Sequence, residues 1–359
     1  MPNATIFYMT GTGNTRRAAG VIAERLSVAH WGVKMMELRK GAGAPRGAFQ
    51  DDLLVLSFPV LAFGMPALTR TLLRGLRGQG RAAAIFATWG GDPLSALWLS
   101  GRFLKRRGFR VVAVGGESYP FNWTQMVNPT GEPDASDMIR AGDAAASRFA
   151  DEVAAAMKDP DRNGAILDLK LPVLSVVIGL PVAFIYSTMG RFGLAALFAA
   201  DDRCKACGAC ARDCPAASIV MAGKGKHRRP RWLTRCQGCN RCINLCPEAA
   251  IQTSVFRAAV HLTVNVALLA ALVIGLHRLS ALAALPPYLT VPAWIALFIA
   301  GFIYGSRLQF AALDPVLFSL ESLPVLRRFL RMSWTVGFRR YSCEGFPPQD
   351  AKRIARSRR

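Results

Sequence analysis

Thr10-Gly11-Thr12-Gly13-Asn14-Thr15, at the end of the apolar run Ala4–Met9 and opening into the helical pattern Thr15–Ala29, is the stretch on which the fold turns. Two glycines let the backbone curl. The hydroxyls of Thr10, Thr12 and Thr15, the Asn14 amide and the first amides of the helix can then converge on an anion. No Lys or Arg lies inside the loop, so binding would rest on neutral donors and the helix dipole. A P-loop would need Gly-Lys-Ser/Thr, which does not follow. A dinucleotide fingerprint would need a third glycine, and bare backbone where this loop has hydroxyls.

Around the loop, apolar runs alternate with helical stretches. Strands are predicted near Ala4–Met9, Val33–Leu38, Leu53–Phe58, Ala82–Thr88 and Arg110–Gly115, and helices near Thr15–Ala29, Pro66–Leu76, Leu94–Arg107 and Ser136–Lys158. This rhythm gives an α/β doubly wound parallel sheet, order 2-1-3-4-5, over residues 1–158, with its ligand beyond the strands' carboxyl ends. In that setting the loop resembles the phosphate loop of flavodoxins, and the resemblance implies FMN. It also implies two loops beside the isoalloxazine ring. One is Phe58-Pro59-Val60-Leu61-Ala62-Phe63-Gly64-Met65-Pro66, the other Thr88-Trp89-Gly90-Gly91-Asp92. Phe63, Gly64, Trp89, Gly90 and Gly91 are the implied contacts, with Phe63 and Trp89 as candidate walls unless they simply pack in the core. Tyr119-Pro120-Phe121-Asn122-Trp123 either touches the flavin or covers the end of the sheet.

Eight of the nine cysteines form two matching runs, Cys204-x2-Cys207-x2-Cys210-x3-Cys214-Pro215 and Cys236-x2-Cys239-x2-Cys242-x3-Cys246-Pro247. This is the spacing of bacterial two-cluster ferredoxins, in which the fourth cysteine of each run serves the other cluster. By that rule Cys204, Cys207, Cys210 and Cys246 hold one [4Fe–4S] cluster, and Cys236, Cys239, Cys242 and Cys214 the second. Structural zinc expects paired Cys-x2-Cys steps across a longer gap, and each run has one cysteine too many. Disulfides are disfavoured by the short, regular spacing and the reducing compartment that such clusters imply. The flavin-type half and the cluster half, residues 201–256, together resemble the flavodoxin–ferredoxin fusions of bacteria and archaea.

The remaining sequence departs from soluble members of that group. Hydrophobic residues make up 52% of 359, mean hydropathy is +0.25, and the formal net charge is +22. Ala258–Leu276 and Tyr288–Ser306 carry no Asp, Glu, Lys or Arg. Nineteen helical residues span about 28 Å, enough for the hydrocarbon core of a bilayer. Residues 257–308 are therefore predicted to form a transmembrane hairpin, with Arg257 and Arg307 at its cytoplasmic ends. Leu171–Ala200 is apolar but broken by Pro172, Pro181, Gly190, Arg191 and Gly193. Residues 159–200 are expected to be a linker with a re-entrant or interface-lying helical pair, Arg191 at the headgroups.

Asp314–Arg331 reads as an amphipathic interfacial helix. It belongs to a basic cytoplasmic tail, 309–359, in which ten basic residues from Arg327 onward meet two acidic ones. Lys224–Arg241 adds seven basic residues and no acid, a solvated hairpin or a docking surface that would raise the cluster potential. His261 and His277 lie too far apart on one helix to share a haem, and read as interface histidines. Cys343 reads as a spare thiol.

The start of the chain has no secretory signal pattern. No nucleic-acid-binding motif and no nicotinamide fingerprint accompany the charge. No acid, base or nucleophile sits in a supporting constellation, so an active site with its own acid–base chemistry is not read here. The expectation is a protein of the cytoplasmic membrane passing single electrons among FMN, two clusters and a redox partner protein. The alternative is direct reduction of a quinone or other membrane-soluble substrate.

Overall fold

The computed structural model describes residues 1–43, 45–158, 173–223, 228–282, 287–321 and 323–346. Five strands, β1 (Asn3–Tyr8), β2 (Gly32–Glu37), β4 (Leu53–Pro59), β6 (Ala82–Trp89) and β7 (Arg110–Ser118), form a parallel sheet ordered β2-β1-β4-β6-β7. Two short strands, β3 (Gly47–Ala48) and β5 (Leu76–Arg77), pair beside it. This is the expected order, with each strand within a few residues of its predicted ends. The reason is two-sided burial, since a parallel sheet wrapped by crossover helices reads as continuous apolar runs. Successive residues alternate between its faces. Ile6, Val55 and Phe86 pack with Ile22 and Leu26 of α1 (Asn14–Val28) and Phe149 of α4 (Asp134–Lys158). Phe7, Leu54, Leu56 and Ile85 face the other way, toward Leu73 and Leu104. The second face is covered by α2 (Ala67–Leu72) and α3 (Ala96–Lys105).

The cysteine-rich part is a small module of paired short strands. β8 (Phe198–Ala200) pairs antiparallel with β11 (Ile251–Thr253), and β9 (Ile219–Ala222) with β10 (Arg229–Trp232). Its core joins Phe198, Ile219, Trp232, Ile243 and Ile251 to Cys210, Cys214, Cys242 and Cys246. The two cysteine runs repeat each other's backbone. Ala206 and Gly238 take left-handed φ values of 56° and 65°, as do Gly208 and Asn240 (74° and 55°) and Ala217 and Ala249 (46° each).

Among the described residues, three helices are long and apolar enough to cross a membrane: Ser175–Ala196, Val255–Arg278 and Trp294–Leu320. The last two belong to helices Val255–Leu282 and Pro287–Leu320, packed together, with large apolar side chains such as Leu262, Val266, Ile274, Ile295 and Tyr304 exposed. Polar links join them: Ser306 Oγ donates to Asn265 Oδ1 (3.0 Å) and the Gln309 amide to the His261 carbonyl (2.9 Å). His261 is buried between the helices, its ring 5.0 Å from that of Phe310.

Several expectations change here. The region around 171–200 holds one continuous helix rather than a pair. Its two π turns, Ser175–Gly179 and Tyr186–Gly190, widen the coil, the first just before Pro181, whose ring would collide with the carbonyl four residues back in a regular helix. Arg191 does not face outward: it stacks 4.3 Å from the Phe192 ring and donates to the Cys236 carbonyl (3.4 Å). Arg257 is buried and paired with Glu321 (2.5 Å) and Asp314 (2.7 Å). Arg307 donates to the Thr188 carbonyl (2.8 Å). Asp314–Arg331 is not one amphipathic helix, since the long helix runs to Leu320 and a short one, Pro324–Leu330, follows. Beyond it the chain turns back, and Thr335, Tyr341, Cys343 and Phe346 are buried against the sheet domain and the cysteine-rich module rather than forming an exposed basic tail. Residues 159–172, 224–227 and 347–359, on which parts of the linker and tail expectations fall, lie outside the described residues.

Candidate functional site

The loop after β1 is built from internal hydrogen bonds. Gly13 sits at φ +109° and donates its amide to Thr10 Oγ1 (3.1 Å), while the Thr15 and Thr88 hydroxyls pair at 2.7 Å. The curl leaves the first-turn amides of α1 without intrahelical acceptors at the cavity edge. The Asn14 side chain is held by partners elsewhere in the chain, which leaves one of its two Nδ2 hydrogens for a ligand. Its Nδ2 binds the Pro120 carbonyl (3.1 Å), and its Oδ1 accepts from the Tyr341 hydroxyl (2.6 Å). The Thr12 hydroxyl accepts from the Asn122 amide.

Above the loop lies a small, partly open cavity. Thr10, Gly11, Thr12, Asn14 and Thr15 form one end. Pro59, Val60 and Leu61, then Trp89 and Gly90, form the sides. Gly13, Phe63, Gly64 and Gly91 are not among its lining residues. Phe63 takes a left-handed turn (φ +61°) and its carbonyl accepts from Ser95, so Leu61 stands where Phe63 was expected as a wall. Trp89 lines the cavity and also packs on the sheet core, pressed against Gly116. Hydroxyls, free helix amides and apolar sides suit a neutral-donor phosphate grip with a flat ring beside it, so the residues present fit FMN.

The unexpected lining residue is Cys239. A Cβ on Gly11 would stand 2.5 Å from the Cys239 carbonyl oxygen, so only glycine lets the cysteine loop close over the flavin-type loop. Buried polar contacts hold the closure. Gln125 N donates to Asn240 Oδ1 (3.0 Å), Thr124 Oγ1 to Asn244 Oδ1 (2.7 Å) and Leu68 N to Gln237 Oε1 (2.8 Å). Arg241, expected in a solvated basic stretch, is buried and paired with Glu37 (2.9 Å). The returning C-terminal segment completes the loop: the Cys343 amide donates to the Thr12 carbonyl (2.8 Å), and Cys343 and Phe346 press on Gly13. Cys343 is therefore a packing residue of the loop. Sequence spacing carries no signal for such a contact, because it joins positions more than 300 residues apart.

The eight run cysteines are free thiols in two neighbourhoods. Burial pushes Cys210 up to about 12, reinforced by Cys246, Cys204 and Cys207. Burial pushes Cys236 up to about 12 and Cys239 to about 11, each with Cys214 among its charged neighbours. Cys242 is raised by burial, then by Cys236, with Cys239 and Cys214 adding less. Each neighbourhood takes three thiols from one run and the fourth from the other. Among the described residues no three His, Cys, Asp or Glu side chains converge tightly enough for a single ion. Sγ atoms accept hydrogen bonds at Cys214 (Ser218 N, 3.3 Å), Cys236 (Gly238 N, 3.4 Å), Cys246 (Ala250 N, 3.3 Å) and Cys242 (Trp232 Nε1, 3.4 Å), which stabilises thiolate.

A second residue missed in the sequence is Arg340. It is largely buried, donates to the Ile251 carbonyl (3.0 Å) and has Cys246 and Cys242 among its charged neighbours; burial pulls it down to about 10, so it is cationic at neutral pH. Arg340→Gln should therefore make any cluster held by these thiols harder to reduce. A redox titration followed by electron paramagnetic resonance would show a more negative midpoint, and an unmoved midpoint would remove Arg340 from the site. Gly11→Ala should cost about 1–3 kcal/mol through overpacking, lower the melting temperature and reduce the flavin-to-protein absorbance ratio. Parental values in both would mean the two loops do not abut.

No protein-family profile and no curated protein match this sequence. Distant likenesses exist among solved structures. A flavodoxin of Streptococcus pneumoniae TIGR4 is 16% identical, with TM-score 0.32 over 43% of this chain and 98% of its own. The two-electron reduced flavodoxin of Megasphaera elsdenii is also 16% identical, with TM-score 0.28 over 40% and 98%. A flavone reductase is 12% identical, with TM-score 0.33 over 44% and 64%.

Proposed function

We propose that this chain is a membrane-bound electron-transfer protein that binds FMN in the cavity after β1 and two [4Fe–4S] clusters in the cysteine-rich module. The observation that carries the reading is Cys239, at once a member of one thiol neighbourhood and a wall of the flavin-type cavity. FMN exchanges one or two electrons and a cubane one, so together they link donors and acceptors of unlike electron count.

The chain's own residues do the rest. Thr10, Thr12, Thr15 and the α1 amides would grip the phosphate, while Pro59, Leu61 and Trp89 keep water from the ring. Cys236, Cys239, Cys242 and Cys214 would hold the cluster nearest the flavin. Cys204, Cys207, Cys210 and Cys246 would hold the outer one, where Cys207 is exposed and offers the edge for a redox partner. The apolar hairpin anchors the protein, and the redox modules face the reducing, cytoplasmic side.

The helix Ser175–Ala196 lies along both modules rather than crossing. Gly179 abuts Leu94 and Ser95, Ala183 meets Gly64, and the Tyr186 hydroxyl donates to the Gln237 carbonyl (2.7 Å), while Val177 and Ile185 stay exposed for lipid. Protein purified without oxygen in detergent should contain FMN, iron and acid-labile sulfide in fixed ratio. A colourless preparation would end the proposal.

A further inference from the structure

Where the helix Ser175–Ala196 meets the sheet domain, a groove of about 550 Å³ separates it from α2 and α3. Its charged lining is wholly cationic: Arg70, Arg74, Arg102, Arg106, Arg107 and Arg191, with no Asp or Glu. Arg70, Arg74, Arg102 and Arg106 are exposed, and among the described residues none of the four forms an ion pair. Arg102 lies over the Trp98 ring at 4.6 Å and Arg107 over Phe103 at 5.4 Å. Guanidinium groups gathered this closely repel one another until an anion enters, and their flat forks suit phosphate.

The facing wall is different in kind. Leu180, Ala183 and Phe184 line it, and Phe184 continues into the exposed apolar surface of Val177 and Ile185. A ligand matching both walls is anionic at one end and a hydrocarbon along its length. A soluble phosphate compound would satisfy the arginines and leave the apolar wall wet. We propose that the groove seats one anionic phospholipid drawn from the membrane, its phosphate among Arg70, Arg102 and Arg106 and an acyl chain along Leu180 and Phe184. Leu61 lines both this groove and the flavin-type cavity, so the seated lipid holds the outer side of the loop that walls the cavity.

Trp98 in the groove supplies the probe. The full chain in dodecyl maltoside is titrated with phosphatidylglycerol carrying brominated acyl chains, and tryptophan quenching is followed. Quenching should saturate, and brominated phosphatidylcholine should need about tenfold more lipid or worse. Trp98→Phe should remove the saturable component, which locates it. The combined Arg70→Gln, Arg102→Gln, Arg106→Gln chain should bind about tenfold more weakly or less, with an unchanged circular dichroism spectrum, and Lys at the same positions should keep binding. Equal quenching by the two lipids would overturn the proposal, as would saturable quenching that survives the triple Gln substitution. Displacement by millimolar inorganic phosphate would overturn the lipid assignment in favour of a soluble anion.

Discussion

Cys239→Ala, purified anaerobically, should retain its flavin and lose about half of its iron and acid-labile sulfide, because under the proposed cofactor assignment one cubane loses a ligand while the other keeps all four. The effect is large because a thiolate–iron bond has no substitute nearby: Cys343 is occupied in packing against Gly13 on the far side of the loop. The same substitution should also disconnect the cofactors. Dithionite should still bleach the flavin, but an electron entering through the remaining outer cluster should no longer reach it in a stopped-flow experiment. Cys207→Ala supplies the complement, since it removes the exposed set and leaves the flavin's neighbour intact. Full loss of iron from either chain, or none, would contradict the grouping of thiols.

Arg257→Met should be the most destabilising single change in the hairpin. Arg257 is 2% exposed, and its guanidinium meets Asp314, Glu321 and the Ala196 carbonyl (3.2 Å) where the membrane helices join the cysteine-rich module. Removing it takes from Glu321 a 2.5 Å partner and leaves Asp314 to Arg231 at 3.5 Å, at a cost of up to about 3–5 kcal/mol. Thermal melting in detergent should fall accordingly, and loss of the module's brown absorbance should precede loss of flavin. Adding Asp314→Asn and Glu321→Gln to the Met chain should recover part of the loss, because neutral amides tolerate burial far better than unpaired carboxylates. A Met chain that melts like the parent would show that solvent reaches the triad.

The sheet was legible because its cause is local. Runs such as Leu53–Phe58 and Ala82–Thr88 are apolar on both faces, and only a doubly covered parallel sheet buries both. The loop Thr10–Thr15 and the two cysteine runs were legible for a similar reason, since each concentrates its chemistry within a dozen residues. What stayed hidden depends on contacts distant in sequence. Arg191, Arg241, Arg257 and Arg340 read as surface or headgroup charges from their neighbours alone, yet each is turned inward by a carbonyl or carboxylate far along the chain. Phe63 was chosen as a wall for its ring, but the left-handed turn at Ala62 and Phe63 presents Leu61 instead. Nothing near Asn14 in sequence shows what else its side chain meets. Pro120 and Tyr341, which hold it, are more than 200 residues apart in the chain and come together only in the fold.

The return of residues 341–346 to the loop after β1 bears on how the molecule is made. A nascent chain that has emerged only through α4 can assemble the five-stranded sheet. It still lacks the Cys343 amide that caps the Thr12 carbonyl and the Tyr341 hydroxyl that fixes Asn14. The loop after β1 is thereby completed only once residues 341–346 have been made and have folded back onto it. A copy that stops short of Tyr341 can keep its sheet, but the Thr12 carbonyl and the Asn14 side chain then lack the partners that hold the loop's shape.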